Sequence, residues 1–223
     1  MLAELALRAE VSTLEELDQA PLDGGRRETL FLWESRAPCI VLPRSGSIRI
    51  HLLESAPADL VVHRRESGGG AVMLGRGCLN YALVLSLSQR PALVDVDYSY
   101  RAILGTLLRA LRVEGTRTIG SDLVLGDRKF GGHAQRRTRH ALLHHGTILY
   151  GFELSQMSEV LREPLRQPAY RRGRPHSSFL VNLPLSLQHL LHGFLGLAEA
   201  MTLTRHCQAS GSEPTFCPVS PTK

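Results

Sequence analysis

The chain has 223 residues, of which 43% are hydrophobic and 21% are charged, a composition typical of globular proteins. At this length a hydrophobic core forms without disulfides or a structural metal. No run of about 18 apolar residues occurs, which excludes a transmembrane helix. The net charge is +5, but basic and aromatic residues are not interleaved along the chain, which argues against a nucleic-acid-binding module. The YRRGR run at 170–174 keeps that alternative open.

The amino-terminal residues carry acids and no basic leader, so we expect no signal peptide and a cytoplasmic protein. The cysteines show no CxxC pair and no regular spacing, which predicts reduced thiols without a framework role. Nothing in the histidine and cysteine spacing indicates a zinc site, and we expect no protein-held metal. The four cysteines are Cys39, Cys78, Cys207 and Cys217.

Positive charge in this chain is almost entirely arginine. Of the 26 basic residues only two are lysines, Lys129 and the terminal Lys223, and the other 24 are arginines. A compact ammonium and a planar guanidinium differ in shape and hydration. Lys129 is therefore a candidate position for an ammonium with a specific task, and the alternative is a lysine that survives by chance.

Hydrophobic spacing and turn residues predict a mixed α+β domain over residues 1–206, followed by a disordered tail at 207–223. Helices are expected over the first twenty residues, where Ser12 and Thr13 are cap candidates, and then at 97–113, 153–161 and 185–203. Strands are expected at 29–33, 39–42, 48–53, 58–63, 80–87, 122–125 and 142–150, with 127–139 as a link and 164–175 as a surface loop. The elements lack strict βαβ alternation, which favours a mixed or antiparallel sheet.

A triple glycine follows two arginines after the fourth predicted strand, in the run RRESGGGAV at 64–72. Glycines destabilise a strand, because they lose the most conformational entropy on folding. They occur where the backbone must approach a ligand closely. Free amides in such a loop can bind a phosphate or carboxylate, and Arg64 and Arg65 can add charge-assisted bonds. The alternative is an ordinary flexible turn.

A second chemical segment is SDLVLGDRKFGGHAQRR at 121–137. Gly126 and Asp127 fit a tight turn between two strands, which places Lys129 on the second strand. An ammonium there can contact an acyl carbonyl or an α-phosphate. The alternative reading is an exposed strand lysine, and the nearby arginines can be a solvated face or a docking surface for an acidic partner.

These two segments, with GRGCLNY at 75–81 and HHGTILY at 144–150, resemble the lipoate–protein ligase A family of the biotin/lipoate ligase superfamily. The resemblance covers residues 58–150. It implies the catalytic-domain fold of that superfamily, which is similar to class II aminoacyl-tRNA synthetases. It departs from the family pattern at Ser121, which replaces an asparagine, and at 73–75, where Met-Leu-Gly replaces an aromatic-His-Asp run.

The resemblance also implies site residues, cofactors and partners. Lys129 would be the central catalytic residue, and Asp122 would lie near the nucleotide and magnesium. The residues expected at the acyl-adenylate are Arg65, Gly70, Ala71, Val72, Met73, Asp122 and Lys129. The expected reaction uses ATP and Mg²⁺ to activate lipoate or octanoate. The acceptor would be a lipoyl domain of a 2-oxoacid dehydrogenase acyltransferase or the glycine cleavage H protein, steered by the arginines at 136–139 and 171–174.

Besides the nucleic-acid-binding module, two other functions stay open at this stage. An octanoyl- or lipoyl-transferase of the same superfamily would need a cysteine nucleophile, and Cys78 is the cysteine nearest the glycine loop in sequence. An inactive acyl-carrier or adenylate sensor is the other.

Overall fold

The structure is a computed structural model that describes residues 28–201, together with the backbone of two short strands, Leu7–Arg8 and Thr204–Arg205. The helix predicted over the first twenty residues and the tail predicted at 207–223 lie outside the described residues, as do Cys207 and Cys217.

Strands and helices are mixed along the chain. The strands are β1 (Leu7–Arg8), β2 (Thr29–Glu34), β3 (Cys39–Leu42), β4 (Val61–Arg64), β5 (Val72–Leu74), β6 (Cys78–Ser86), β7 (Thr116–Ile119), β8 (Asp122–Leu125), β9 (Arg128–Arg137), β10 (Ala141–Leu149) and β11 (Thr204–Arg205). The helices are α1 (Ile48–His51), α2 (Val96–Leu111), α3 (Ser155–Val160), α4 (His176–Phe179) and α5 (Leu187–Ala200), with 3₁₀ turns at Pro91–Val94 and Ala169–Arg171.

Two sheets organise the domain. The large sheet has the order β1-β2-β6-β10-β9-β8-β7, and β11 also pairs with β2. From β2 to β7 every pairing is antiparallel, whereas β1 and β11 run parallel to β2. The small sheet has the order β4-β3-β5, in which β3 pairs parallel with β4 and antiparallel with β5. The predicted α+β class with a mixed sheet is confirmed.

Each face of the large sheet covers a separate apolar cluster. On one face, leucines of β2 and β6 pack with the apolar sides of α2 and α5, including Leu104 and Phe194. On the other face, Trp33, Ala82 and Leu143 pack with the small sheet and with α3. Burial of alternate residues on both faces explains why β6 is buried along its whole length.

Most predicted elements lie within a few residues of the observed ones, but three expectations are wrong. The strand expected at 48–53 is the short helix α1, because Ser47 caps it through its hydroxyl and neither Ile48 nor Ile50 is buried, at 48% and 47% exposure. The stretch at 127–139, expected as a link, is mostly the ten-residue strand β9. The loop at 164–175 contains a 3₁₀ turn, and its Arg171 is buried.

No helix among the described residues is long and apolar enough to cross a membrane.

Candidate functional site

Lys129 lies near the start of β9, just after a two-residue turn. Gly126 and Asp127 connect β8 to β9, and Gly126 adopts a φ of +61°, which glycine tolerates best. The Lys129 ammonium lies 2.7 Å from Oδ1 of Asp122, the first residue of β8. The predicted hairpin therefore brings the two expected site residues into direct contact.

Gly132 makes room for this ion pair. A Cβ atom at Gly132 would lie 2.8 Å from the Lys129 Nζ and 2.9 Å from its Cε, so any larger residue would displace the lysine. Gly132 pairs with Asp122 on β8 and with Thr147 on β10. Since opposed residues of antiparallel strands point to the same face, the ion pair lies on the face of the sheet that Thr147 occupies.

Tyr170 completes the environment of Asp122. Its hydroxyl donates a hydrogen bond of 2.7 Å to Asp122 Oδ2, the oxygen that Lys129 does not contact. Burial, followed by the charge of Asp122, raises the pKa of Tyr170 well above its usual value. The phenol therefore stays protonated and remains a donor at any working pH.

Arg65, expected at the adenylate, is buried under the glycine loop with 4% of its surface exposed. Its guanidinium donates to the carbonyls of Val41, Gly68 and Gly70 at 3.2, 2.6 and 2.8 Å. Arg64 likewise donates to the carbonyls of Pro43, Arg44 and Gly46. In this structure the two arginines hold the loop's backbone in place.

The other expected loop residues divide between open surface and core. Gly70 is exposed, and a Cβ there would meet nothing within 4 Å. Ala71 and Val72 are half-buried against the apolar cluster between the sheets. Met73 is buried within that cluster, at 3% exposure. Gly70 is therefore the part of this run that is accessible to a ligand.

Ser67 ties the glycine loop to the large sheet. Its Oγ lies 2.7 Å from Nε2 of His145 and accepts a bond of 3.1 Å from Arg65 Nε. The serine hydroxyl can donate to Nε2 of a neutral histidine or accept from it, depending on the tautomer. Burial, followed by the charge of Arg65, lowers the pKa of His145 to about 3, which agrees with this arrangement.

The glycine loop and the Lys129 ion pair lie over one face of the large sheet. His145 and Thr147 are two residues apart on β10, so their side chains share a face and lie roughly 7 Å apart along the strand. His145 contacts the loop, and Thr147 is paired with Gly132 beside the Lys129 ammonium. The two predicted chemical segments therefore form a single candidate site.

His133 and His144 lie behind this site, on the helix-covered face. Their rings stack with centroids 5.7 Å apart, and His144 hydrogen bonds with Tyr81 Oη and Gln135 Nε2. The backbone N–H and the ring Nδ1 of His133 both form hydrogen bonds with the carbonyl of Ser121, at 3.1 and 2.8 Å. These bonds hold the backbone in place immediately before Asp122. Burial lowers the pKa of His133 to about 4 and that of His144 well below its usual value.

The two cysteines within the described residues are poorly placed as nucleophiles. Cys39 and Cys78 are both buried and unpaired. Burial, with a smaller contribution from Glu34, raises the pKa of the Cys78 thiol far above its ordinary value. A nucleophilic thiolate requires the opposite shift.

The predicted arginine docking surface is smaller than expected. Arg137 donates to the carbonyls of Leu93 and Val94, and Arg171 pairs with Glu163 and covers the Phe179 ring. Arg174 pairs with Asp127 at 2.7 Å. Of these two clusters, Arg139 and Arg172 present exposed side chains to solvent.

No three His, Cys, Asp or Glu side chains converge as a metal site within residues 28–201. Mg²⁺ is commonly held by one or two carboxylates together with substrate phosphates and waters. Asp122 supplies one carboxylate on the shared face; Lys129 and Tyr170 each contact one of its oxygens, which leaves a lone pair on each oxygen for a cation that arrives with a nucleotide.

Sequence reasoning missed Tyr170, Ser67 and His145 as contributors to the site. Tyr170 lies 48 residues from Asp122 in a segment expected to be a surface loop. His145 lies in the motif HHGTILY, and alternation along a strand predicts that its two histidines lie on opposite faces of the sheet.

Comparison with known proteins gives the family. The family model for the lipoyl protein ligase A/B catalytic domain matches residues 5–190. A lipoate-protein ligase A from Psychrobacter cryohalolentis is 29% identical over 147 residues, which cover 63% of this chain and 41% of that protein. The chain thus spans less than half of the length of this relative.

Solved structures show the same fold. A bi-partite lipoate protein ligase from Thermoplasma acidophilum, studied with its E2 lipoyl domain, superposes with a TM-score of 0.71 at 18% identity, covering 93% of this chain and 88% of that one. A lipoate-protein ligase A bound with ATP superposes with a TM-score of 0.69 at 18% identity, covering 94% and 90%. The predicted fold and the resemblance are confirmed, and the chain belongs to the lipoyl protein ligase A/B catalytic domain family.

Proposed function

We propose that this chain is a lipoate–protein ligase that activates lipoate or octanoate with ATP and transfers the acyl group to a lysine of a lipoyl domain. The observation that carries the proposal is the Lys129 ammonium, held by Asp122 on the sheet face that the glycine loop covers. Family membership and the likeness to an ATP-bound ligase support it.

In the activation step, a carboxylate oxygen of the acyl acid attacks the α-phosphorus of ATP. A bond forms between that oxygen and phosphorus, the bond to the bridging oxygen breaks, and pyrophosphate leaves with its electron pair. Negative charge grows on the α-phosphate oxygens as the bond forms. A positioned ammonium stabilises that charge, which is the role proposed for Lys129.

The glycine loop would hold the adenylate part of the intermediate. Gly70 is exposed and has open space where a side chain would be, so a ligand can approach the backbone closely. Arg65 contributes by bonding the carbonyls of Gly68 and Gly70, which keeps the loop in shape. Mg²⁺, when bound with ATP, neutralises part of the triphosphate charge, and Asp122 is the residue proposed to hold it.

In the transfer step, the neutral amine of an acceptor lysine attacks the acyl carbonyl of the mixed anhydride. An amide bond forms, the bond from the acyl carbon to the phosphate oxygen breaks, AMP leaves with that electron pair, and the proton lost by the nitrogen passes to solvent. The T. acidophilum relative was studied with an E2 lipoyl domain, which supports lipoyl domains as the acceptor class here. A lipoyl domain of a 2-oxoacid dehydrogenase acyltransferase or the glycine cleavage H protein is the specific partner proposed.

One assay tests both steps separately. The pure protein is incubated with ATP, Mg²⁺ and lipoate or octanoate, and pyrophosphate release is measured with and without an apo lipoyl domain. The mass of the domain is then determined. We expect acid-dependent pyrophosphate release and a domain heavier by one acyl group.

The outcomes separate the alternatives. Acylation of the domain from an acyl-carrier thioester without ATP would identify an acyltransferase. Binding of an acyl-adenylate without any turnover would identify a sensor. Pyrophosphate release without domain modification would show that transfer needs a second polypeptide, as the bi-partite relative suggests.

A further inference from the structure

Both oxygens of the Asp122 carboxylate are held, each by a different residue. Oδ1 contacts the Lys129 ammonium at 2.7 Å, and Oδ2 accepts from the Tyr170 hydroxyl at 2.7 Å. We propose that Tyr170 is a positioning residue for the activation step, since its hydroxyl orients Asp122 and thereby the Lys129 ammonium. The proposal rests on the proposed function, because it assigns Lys129 to that reaction.

The segment around Tyr170 is built to hold the hydroxyl at this point. The Tyr170 ring packs against the Phe179 ring with centroids 5.2 Å apart. The Arg171 guanidinium carbon lies over the Phe179 ring, 4.6 Å from its centroid. Arg171 in turn pairs with Glu163, which also accepts from the backbone N–H of His176 at 3.0 Å. The tyrosine is thus fixed by contacts that do not involve Asp122.

The same segment is also anchored to the hairpin that carries Lys129. Arg174 donates to the Asp127 carboxylate and to the Asp127 carbonyl, each at 2.7 Å. The N–H of Val181 donates to the carbonyl of Lys129 itself at 2.9 Å. Tyr170 and Lys129 therefore belong to two segments that are joined at Asp127 and at Lys129 as well as at Asp122.

A carboxylate held at one oxygen only can rotate about its Cβ–Cγ bond, and a terminal sp² torsion of this kind is broad. The Tyr170 hydroxyl removes that freedom. A hydrogen bond to a charged group is stronger than one between neutral groups. Loss of the hydroxyl should therefore leave the ion pair present but less well oriented.

The scarcity of lysine makes the ammonium directly observable. The chain has only Lys129 and Lys223, so protein grown with lysine labelled by ¹³C at the ε carbon gives two side-chain signals in an NMR spectrum. Lys129→Arg removes one of them and thereby assigns it. We expect Tyr170→Phe to shift the Lys129 signal and leave the Lys223 signal in place.

The matched control is Tyr98→Phe, which removes a hydroxyl from a tyrosine that is 45% exposed in α2. It should move neither signal. Phenylalanine at position 170 keeps the ring that packs on Phe179, and circular dichroism checks that both variants fold. A Lys129 signal that is identical in wild type and Tyr170→Phe overturns the proposal, and this experiment needs no substrate.

Kinetics give the second readout. Tyr170→Phe should lower kcat for pyrophosphate release about tenfold while KM for ATP stays within about twofold, because an oriented ammonium acts mainly on the transition state. In an Asp122→Asn background the same change should have no further effect, since the hydroxyl acts through that carboxylate. An equal loss in both backgrounds would contradict the proposal. Absence of pyrophosphate release by the wild type would instead refute the proposed function, and the NMR comparison would still decide the role of Tyr170.

Discussion

Ser67 of the glycine loop and His145 of β10 are joined by a buried hydrogen bond of 2.7 Å. This bond connects a loop that approaches ligands through its backbone to the rigid centre of the large sheet. Arg65 donates to the same serine oxygen from below the loop. The loop is therefore ordered by buried contacts with its neighbours, and a Cβ added at Gly68 or Gly70 would meet nothing within 4 Å.

Ser67→Ala should loosen this loop. The change leaves His145 Nε2 and Arg65 Nε without the partner they share, and an unsatisfied buried polar group costs about 1–3 kcal/mol. The free energy of unfolding, measured with urea, should fall by about that amount, and trypsin should cut faster at Arg64 or Arg65. Ser45→Ala, an exposed serine in a nearby loop, is the control and should change neither quantity.

The site shows which parts of a sequence carry local information. The Gly126-Asp127 pair predicts the hairpin, because turn geometry depends on neighbouring residues alone. The scarcity of lysine in the chain then singles out Lys129 on its second strand. Tyr170 could not be predicted, since its contact with Asp122 depends on how the segment at 163–176 crosses the hairpin. Arg65 is predicted from the sequence to contact a ligand, and the structure buries it under the loop carbonyls. The neighbouring residues do not distinguish these two placements of an arginine.

Cys78→Ala should leave pyrophosphate release and acyl transfer within about threefold of wild type. The thiol is fully buried and its pKa is raised, so it cannot supply a thiolate to the site. Intact-protein mass spectrometry after incubation with an acyl donor should find no acyl group on Cys78. A trapped thioester, or a loss of about 10³-fold, would favour the acyltransferase alternative.

Acidification should destabilise the domain between pH 6.5 and pH 4. Burial lowers the pKa of His133 to about 4 and that of His145 to about 3, whereas the unfolded chain binds these protons near 6.5. The unfolded state therefore holds more protons in this window, and each such histidine lowers the free energy of unfolding by about 1.4 kcal/mol per unit fall in pH. The stability is fully present above pH 6.5.

Urea denaturation at several pH values between 7.5 and 4.5 measures this slope. His145→Gln should reduce it by about one proton, because glutamine has no charge to gain on unfolding. His140→Gln is the control, since the His140 side chain is exposed in the folded state, and it should leave the slope unchanged. A wild-type stability that does not change across this range would contradict the prediction.

Acceptor docking should depend on Arg139 and Arg172, the exposed members of the two arginine clusters. If the acceptor is acidic, its association rate should fall as salt shortens the Debye length from about 10 Å at 0.1 M to about 3 Å at 1 M. Arg172 adopts a φ of +52°, so Arg172→Asn removes the charge while keeping a residue that accepts this conformation.

The Arg139→Gln and Arg172→Asn double variant should associate more slowly than wild type at low salt and depend less on salt. Stopped-flow fluorescence with a labelled lipoyl domain gives both rates. Arg36→Gln removes an exposed charge between β2 and β3 and serves as the control. An association rate that is independent of salt would show that these arginines are only a solvated face.

Lys129→Arg should nearly abolish acyl-adenylate formation while leaving the fold intact. Arginine keeps the positive charge, so a general electrostatic role would survive the change. The Lys129 ammonium lies against Gly132, where an added Cβ would come within 2.8 Å of Nζ, and a guanidinium, which is wider and planar, would not reproduce this close contact. Losing one preorganised donor to a developing oxyanion costs about 10²–10³ in turnover.

Pyrophosphate release at saturating ATP and lipoate should fall by that factor in Lys129→Arg, with circular dichroism unchanged. Lys223→Arg makes the same substitution at the chain's other lysine and should stay within about threefold of wild type. If Lys129→Arg does the same, Lys129 is not the central residue of the site.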